Sequence, residues 1–454
     1  MRRFMNFMLL VQKTMRKRRR RERRMVKKKK RKTKKTTPTQ LKQYVPQELI
    51  IEILLNLPVK SLIRFQCLSK AWFSLISSTQ LKQYVPQELI IEILLNLPVK
   101  SLIRFQCLSK AWFSLISDPD FAKYHFQFAP HTRRIEFISN DLQQTTSIDF
   151  EEHLDLRNAI VKRCNFLDPQ AESLIPIISS CRGFIFFHHS SSFCILNPCT
   201  KVHRQIPLAP GEFETNIELY HFYYLYGFGY DELRDDYLVV SVSFFPDVED
   251  LSRLEYFSLK DNKWKEIKDT YFHFTSDKID PRVGSLFNDA IHWLALHSDS
   301  LMEVIIAFDL TERKLFEMAY PNGVEHKSDH CELWVFGEFL SLWAMDCENN
   351  SIEIWLMKEY NVPSSWIKAI ILPMEILSPH QFTPICSTKN GDIIGTDGEN
   401  ILLRYNDEGE TIEGSSYCCF PDSAVSNGSP SIMYTESLLS LPGDDMQAYE
   451  DDSD

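Results

Sequence analysis

Apolar residues recur along this chain with two different periods, and the change from one to the other divides the sequence. Between residues 83 and 117 they follow helical spacing, and one stripe is formed by Leu89, Ile90, Ile93, Leu94 and Leu97. Pro98 ends that helix, a second short helix is predicted from Val99, and a third begins near Ser109. From Cys181 onward, short apolar runs alternate with polar turns, which predicts β-strands.

The helical segment is present twice, because residues 39–77 and 79–117 are identical letter for letter. Surface substitutions usually change stability by only about 0.5 kcal/mol, so a repeat kept only for its fold would drift at solvent-facing positions. Complete identity therefore indicates a recent duplication or an assembly artefact. Only the second copy continues into Asp118-Pro119-Asp120-Phe121. We predict that the second copy, 79–124, is the working unit and that the first, 39–78, is incomplete.

A three-helix unit of this length has more large apolar side chains than it can bury. Chains below about 40 residues rarely bury enough surface to fold without support. The excess apolar surface therefore predicts a protein partner for the helical unit.

The run VPQELIIEILLNLPVKSLIRFQCLSKAWFSLISDPDFAKYH, residues 85–125, closely resembles the F-box of plant F-box proteins. The resemblance covers the whole motif, with two departures. Val85 replaces the usual Leu before Pro86, and Cys107-Leu108 occupies a position where other residues, often ending in Val, are common. It implies docking on the Skp-type adaptor of a cullin–RING ubiquitin ligase. The residues expected to carry this docking, partly against the adaptor and partly in the unit's own core, are Pro86, Leu89, Ile93, Leu97, Pro98 and Trp112.

Five strand–turn–strand segments follow one another in the second part of the chain. They occupy residues 193–206, 254–267, 305–318, 352–370 and 401–414, so their starts are 61, 51, 47 and 49 residues apart. Another strand precedes each segment. A period near 50 with about four short strands per unit is typical of propeller blades.

This period predicts five blades and a sixth that strands from both ends share. The early strand of the shared blade is expected near Arg134, at 134–139, and the late strand at 431–439. We assign 181–441 to the propeller and 125–180, where the pattern is mixed, to a connector.

The runs GFGYD (227–231), DDYLVV (235–240) and YFSLKDNKWKEI (256–267) resemble the F-box-associated, kelch-like domain of plant F-box proteins. The Gly-Gly pair of a true kelch repeat is absent, so the likeness is one of architecture. The predicted fold class is α+β multidomain: a small three-helix F-box, duplicated in sequence, followed by an all-β, kelch-like β-propeller. The resemblance implies a substrate-recognition subunit of an SCF-type (Skp–cullin–F-box) ubiquitin ligase, in which the propeller binds the target protein.

Charge is distributed very unevenly along the sequence. Residues 1–37 contain 19 of the 51 Lys and Arg, so the remainder has 32 basic against 60 acidic residues. We predict a disordered basic leader at 1–38 and an acidic tail at 442–454. The leader is either a nuclear-import or nucleic-acid-binding tract, or a solvated extension or wrongly assigned gene start. An alternative function is therefore a nuclear or nucleic-acid-associated scaffold that acts without ligase assembly, and the expected location is the nucleus, the cytoplasm or both.

The sequence predicts no catalytic residue, no metal ligand and no cofactor. It contains no GxSxG, HExxH, Walker or GxGxxG motif, no CxxC pair and no apolar stretch long enough to span a membrane. His326, His330 and Cys331 fall in a polar loop pattern, and Asp231, Asp235 and Asp236 bracket a hairpin turn, where Asp is favoured for backbone reasons. The tryptophans at equivalent strand positions are expected in the blade core: Trp264, Trp293, Trp355 and Trp366.

Overall fold

The computed structural model describes the chain from residue 91 to residue 443, with gaps. The described residues are 91, 94–107, 110–129, 133–138, 145–150, 161–164, 174–189, 192–210, 223–244, 253–268, 274–275, 282–324, 331–346, 348–349, 351–373, 383–388, 390–396, 401–416 and 431–443. The basic leader, the first F-box copy and residues 444–454 of the acidic tail lie outside these ranges.

Three α-helices have bounds within the described residues: α1 Val99–Gln106, α2 Lys110–Ile116 and α3 Pro119–Phe128. The described residues Ile91, Leu94 and Leu95 before them are also helical. Helices α1 and α2 correspond to the second and third helices predicted from apolar spacing. Helix α3 is additional, although its start signal is present in the sequence. Asp118 is its N-cap, and one carboxylate oxygen accepts from the amides of Asp120 and Phe121 at 2.9 and 3.0 Å, while Pro119 occupies the first turn.

The strands of the described residues form six sheets, named here blades 1 to 6. Blade 1 contains β1 Arg133–Ile138, β2 Thr145–Phe150, β3 Val161–Cys164 and β26 Ser431–Thr435; blade 2 contains β4 Leu174–Cys181, β5 Phe184–His189, β6 Ser192–Leu196 and β7 His203–Pro207. Blade 3 contains β8 Tyr223–Asp231, β9 Asp236–Phe244, β10 Arg253–Ser258, β11 Lys263–Glu266 and the short parallel β13 Arg282–Val283. Blade 4 contains β12 Phe274–Thr275, β14 Ser285–Phe287, β15 Ala290–His297, β16 Glu303–Asp309 and β17 Lys314–Ala319; blade 5 contains β18 Cys331–Phe336, β19 Phe339–Asp346, β20 Ser351–Met357 and β21 Trp366–Pro373. Blade 6 contains β22 Thr383–Ser387, β23 Ile393–Thr396, β24 Ile401–Tyr405 and β25 Thr411–Ser416.

The inner strands of the six blades form a closed ring. Strands β4, β8, β14, β18, β22 and β26 each contact the next in that order, and β26 contacts β4. The predicted fold class, a few helices followed by an all-β propeller, is therefore confirmed, and the described propeller has six blades.

The five repeated segments found in the sequence are the third and fourth strands of blades 2 to 6. The third strands and the second strands before them are buried nearly throughout, as in β9, where all nine residues are buried. The fourth strands alternate or are mostly exposed, as in β21. Strands buried on both faces give the continuous apolar runs by which these blades are recognised in the sequence.

Blade 1 combines strands from the two ends of the propeller. Strand β1 pairs antiparallel with β26, so that Arg134 lies opposite Tyr434, and β2 and β3 continue the sheet outward. Residues 125–180, which the sequence pattern assigned to a connector, thus contain the end of α3, β1 to β3 and most of β4. In β1 the apolar pattern is interrupted by Arg134 and Glu136, whose charged side chains are buried.

A buried ion pair joins β1 to the segment after β26. The Arg134 guanidinium donates to the Glu436 carboxylate at 3.3 Å and to the Ser147 hydroxyl at 2.6 and 2.8 Å. Both charged side chains are at most 3% exposed. Asn197 of the β6–β7 turn donates to the carbonyl oxygens of Ser437 and Leu439 at 3.2 and 3.0 Å, so blade 2 holds the same segment.

Glycine permits the close approach of blades 3 and 4. A Cβ at Gly227 of β8 would lie 2.7 Å from the Ile291 side chain and 2.9 Å from the Trp293 ring. Trp293 also donates its indole N–H to the carbonyl oxygen of Tyr226 at 2.7 Å. The Gly-x-Gly of β8 is thus a packing feature and not part of a nucleotide-binding loop.

Glu436→Ala is expected to lower the free energy of unfolding by about 3–5 kcal/mol, because it leaves the buried Arg134 guanidinium without this carboxylate. Chemical denaturation followed by tryptophan fluorescence measures the change. The double variant Arg134→Met/Glu436→Met should be less destabilised than Glu436→Ala, since neither member of the pair is then left buried without the other. The control Glu312→Ala removes a surface partner of Lys314, whose side chain is 75% exposed, and should have no measurable effect. A loss for Glu436→Ala no larger than for the control would contradict the role of the pair.

His292 is expected to make stability depend on pH between about 6.5 and 4. Burial lowers the pKa of its imidazole to about 4, against a weaker opposing effect of backbone hydrogen bonds. It lies 3.1 Å from the Ser285 carbonyl oxygen and 2.8 Å from the Tyr360 hydroxyl. Because the unfolded chain binds the extra proton near pH 6.5, this stabilisation is complete above that pH and is lost as the pH falls to about 4, by an amount on the order of 3 kcal/mol.

The measurement is urea unfolding at pH 7 and at pH 4.5 for the wild type and His292→Gln. The variant should lose this part of the pH dependence, whereas His203→Gln, at an exposed histidine, should keep it. Equal pH dependence in wild type and His292→Gln would show that His292 is not the responsible group.

Candidate functional site

The predicted adaptor-binding residues that the structure describes differ in exposure. Leu97 is buried, Pro98 is exposed and Trp112 is half-buried, with its ring in an edge contact to Phe105 at 5.9 Å. Pro86, Leu89 and Ile93 lie outside the described residues. The role of all six in adaptor binding stays a prediction. Phe113, next to Trp112, is 44% exposed, and its apolar ring was missed among the sequence-predicted surface residues.

A side-chain hydrogen bond connects the end of α1 to the link between α2 and α3. The Gln106 side chain at the end of α1 donates to the Ser117 hydroxyl at 3.0 Å, in the link between α2 and α3. Helix α3 then begins at the Asp118 cap. The end of the F-box motif is therefore continuous with a well-defined helix that leads to the propeller.

Helix α3 is fastened to blades 2 and 3 by a cluster that we call the α3 clamp: Lys123, Phe126, Arg182, Tyr230 and Asp235. The Lys123 ammonium lies 2.5 Å from the Asp235 carboxylate. The Arg182 guanidinium lies over the Tyr230 ring at 3.9 Å and over the Phe126 ring at 5.1 Å. Stacking between two aromatic rings suits the planar guanidinium of Arg better than the ammonium of Lys.

Turn geometry places the clamp residues. Arg182 and Gly183 form the β4–β5 turn with φ of 50° and 86°, and Asp235 in the β8–β9 turn has φ of 51°. Burial raises the pKa of Asp235, but the hydrogen bonds from Lys123 and Tyr230 outweigh burial and lower that pKa overall. Burial and the bond to Asp235 raise the pKa of Tyr230. The Asp235 carboxylate therefore stays charged opposite Lys123 at neutral pH.

The three aspartates of the β8–β9 turn organise local structure, as their position around a hairpin predicted. One oxygen of the buried Asp231 accepts from the amides of Leu233 and Arg234, and the other from the guanidiniums of Arg234 and Arg313 at 2.9 and 2.8 Å. Asp236 accepts from the Ser258 hydroxyl at 2.6 Å. These bonds give each carboxylate a structural role.

A pocket of about 480 Å³ opens beside these aspartates. We call it the cationic pocket; its lining residues are Leu233, Arg234, Asp236, Tyr256, Ser258, Lys260, Asp261, Lys265 and Arg313. Sequence reasoning missed it because its cations come from three turns and from strand β11, parts of the chain that no local motif connects.

The tryptophans connect neighbouring blades. Trp293, Trp355 and Trp366 are buried, as predicted for blade core, and Trp264 is half-buried. The fourth-strand residues Trp264 and Trp366 donate their indole N–H to the carbonyl oxygens of Pro207 and Ala319, at the ends of the preceding blades, at 3.0 and 3.2 Å. Each of these two side chains thus closes a blade interface.

The histidines and cysteines that the sequence offered as candidate ligands or nucleophiles show no reactive environment where the structure describes them. Cys331 is buried in β18, whereas His326 and His330 lie outside the described residues. Burial raises the pKa of the Cys181, Cys194 and Cys386 thiols to about 12, which disfavours the reactive thiolate. Within the described ranges no group of His, Cys, Asp and Glu is arranged to hold a metal ion. None of the helices described there combines the length and apolar character that crossing a bilayer requires.

Comparisons with known proteins agree with this architecture. The family model for the F-box associated beta propeller domain matches residues 132–439, more than half of the chain. The F-box domain model matches twice, at 45–84 and at 85–124. Among curated proteins, the F-box protein CPR1 of Arabidopsis thaliana is 26% identical over 392 residues, which is 80% of this chain and 80% of that protein. An F-box/kelch-repeat protein of the same plant is 27% identical over 336 residues, 72% of this chain and 79% of its own.

Arg182→Ala is expected to loosen α3 without unfolding the propeller, because it removes both aromatic contacts of the clamp. Amide hydrogen exchange over residues 119–128 should become roughly fivefold faster, as a cation–π contact contributes about 1 kcal/mol. Exchange in β5 and β9 should not change. A matched control is Lys358→Ala, which removes a cation 4.2 Å from the Phe339 ring in blade 5. If Lys358→Ala accelerates α3 as much as Arg182→Ala does, the clamp does not hold the helix.

Proposed function

This chain belongs to the F-box proteins that carry an F-box-associated β-propeller domain, and we propose that it is the substrate-recognition subunit of an SCF-type ubiquitin ligase. The family resemblance inferred from the residues is thereby confirmed, and the duplication is reflected in two F-box matches. The F-box implies binding of a Skp-type adaptor, and the propeller implies binding of a target protein. Cullin and RING subunits, reached through the adaptor, are part of the proposal.

One observation carries this proposal: a single chain contains an F-box, matched at 85–124, and a closed propeller to which helix α3, which begins within that match, is clamped. A protein built in this way contributes to the reaction by positioning its target, without forming or breaking bonds itself. It holds a target so that the target's lysines meet the ubiquitin-charged enzyme, which raises the effective concentration of the two reactants. The bond-forming chemistry belongs to other subunits, so we propose a non-catalytic adaptor.

The α3 clamp holds the end of the matched F-box segment on the propeller. Lys123 and Phe126 lie on α3, while Arg182 and Asp235 lie in turns of blades 2 and 3 and Tyr230 lies near the end of β8.

The basic composition of residues 1–37 favours a second candidate, a nuclear scaffold that binds nucleic acid without ligase assembly. Purification from plant cells separates the two functions. Co-purification of adaptor and cullin supports the ligase subunit. Salt-sensitive nucleic-acid binding that disappears on deletion of residues 1–37, without adaptor in the complex, supports the scaffold. We propose location in the nucleus, the cytoplasm or both.

Alanine at Leu97 and Pro98 is expected to abolish pull-down of the Skp-type adaptor when Leu57 and Pro58 of the first copy are changed as well. Pro98 is exposed and available to a partner, whereas Leu97 is buried and supports the surface around it. Loss of one well-packed anchor typically costs more than about 2 kcal/mol of binding energy. Pull-down with purified adaptor measures the effect, and propeller tryptophan fluorescence verifies that the β-domain remains folded.

The matched control is Met302→Ala, which truncates a 66% exposed apolar side chain on the propeller. It should leave adaptor binding unchanged. Full adaptor binding by the fourfold alanine variant would contradict the assignment of this surface. Comparing the two alanine pairs separately tests which F-box copy binds.

A further inference from the structure

The cationic pocket opens on the face of the propeller that carries α3. The β8–β9 turn supplies Asp235 to the α3 clamp and Arg234 to the pocket. The β10–β11 turn adds Lys260, and the β16–β17 turn adds Arg313. Successive strands of a blade run antiparallel, so the turns after its first and third strands lie on one face. The pocket thus combines these turns with residues of the adjoining strands, Asp236 of β9, Tyr256 and Ser258 of β10, and Lys265 of β11.

The pocket retains N–H donors for an anion. The single carboxylate of Asp231 is shared by two guanidiniums, those of Arg234 and Arg313. The Lys260 ammonium donates to the backbone carbonyl oxygen of Arg234 at 3.0 Å. Because this acceptor is neutral, the bond does not neutralise the charge of Lys260. The Arg234 side chain is 54% exposed, so it can turn further donors toward a bound group. The pocket lining contains four cations against two carboxylates, those of Asp236 and Asp261, whereas the chain after position 37 has 32 basic against 60 acidic residues.

An acidic segment of the chain begins close to this pocket. Arg204 of β7 donates to the carbonyl oxygen of Pro442 at 2.6 Å and to that of Leu259 at 3.3 Å. One guanidinium therefore holds Pro442 beside Leu259, the residue that precedes Lys260 of the pocket. The next residues, 444–454, read DDMQAYEDDSD and contain six acidic and no basic side chains.

We propose that the cationic pocket is a binding site for acidic peptide segments and that residues 444–454 of this chain occupy it. Their length is sufficient, since 11 extended residues span about 36 Å. Their carboxylates complement Arg234, Lys260 and Arg313. Leu233, 79% exposed at the edge of the pocket, offers a contact for Met446 or Tyr449 of the segment. An acidic segment of another protein must displace the tail to bind there.

This binding does not require ligase assembly and is tested on the full-length protein alone. Carbodiimide coupling joins carboxylates to amines that are in contact, and mass spectrometry of the digest identifies the joined residues. The tail carboxylates should couple to Lys260, whereas Lys265, whose ammonium is paired with the Asp261 carboxylate, should couple to Asp261. The yield should fall roughly fivefold in Arg234→Gln, which keeps both lysines but removes one cation, and should fall similarly when salt screens the charges. The control Lys358→Gln removes one positive charge from the exposed turn after β20 and should leave the yield unchanged.

Four outcomes would overturn the proposal. The tail could couple mainly to lysines of the basic leader, or to exposed lysines without preference. Coupling to Lys260 could occur only in cross-linked dimers, which would assign the segment to a second copy. An equal yield in Arg234→Gln and Lys358→Gln would show that the pocket charge does not guide the contact. Circular dichroism of both variants verifies that a lower yield does not result from unfolding.

Discussion

The propeller depends on one constraint: its ring must close with strands that come from opposite ends of the domain. Strands β1 and β26 pair directly, and the buried Arg134–Glu436 pair lies just beyond them. Without β26, blade 1 would present β1 as an unpaired strand edge. Asn197 and Arg204 of blade 2 fix the residues that follow β26. Closure thus uses backbone pairing, a desolvated ion pair and side-chain hydrogen bonds together.

The same region of the propeller carries helix α3. Arg182 lies in the β4–β5 turn beside Gly183, and a Cβ at Gly183 would come within 2.3 Å of the Ser437 hydroxyl. The turn that holds α3 is therefore packed directly on the segment that closes the ring. Helix placement and ring closure share one small set of contacts, which couples the position of α3 to the integrity of blades 1 and 2.

Sequence patterns revealed the parts of the fold that are buried on both sides. Strands such as β9 and β16 are continuous apolar runs, so the hairpins and their regular spacing were predictable. Strand β1 was expected at 134–139 although Arg134 and Glu136 break its apolar pattern, but the buried ion pair of Arg134 could not be predicted because its partner is 302 residues away. Helix α3 had a local signal in Asp118-Pro119, but its docking depends on Arg182 and Tyr230, which no local pattern connects to it. The cationic pocket could not be predicted, because proximity between turns of different blades arises only after the ring forms.

Closure by the last strand also sets an order of events during synthesis. Helices α1 to α3 leave the ribosome long before β26 does, so the F-box region can form while blade 1 still lacks its inner strand. A chain that stops before residue 431 would present a complete F-box on an unfinished ring. Such a product could still engage the adaptor without being able to hold a target, and would compete with the intact protein.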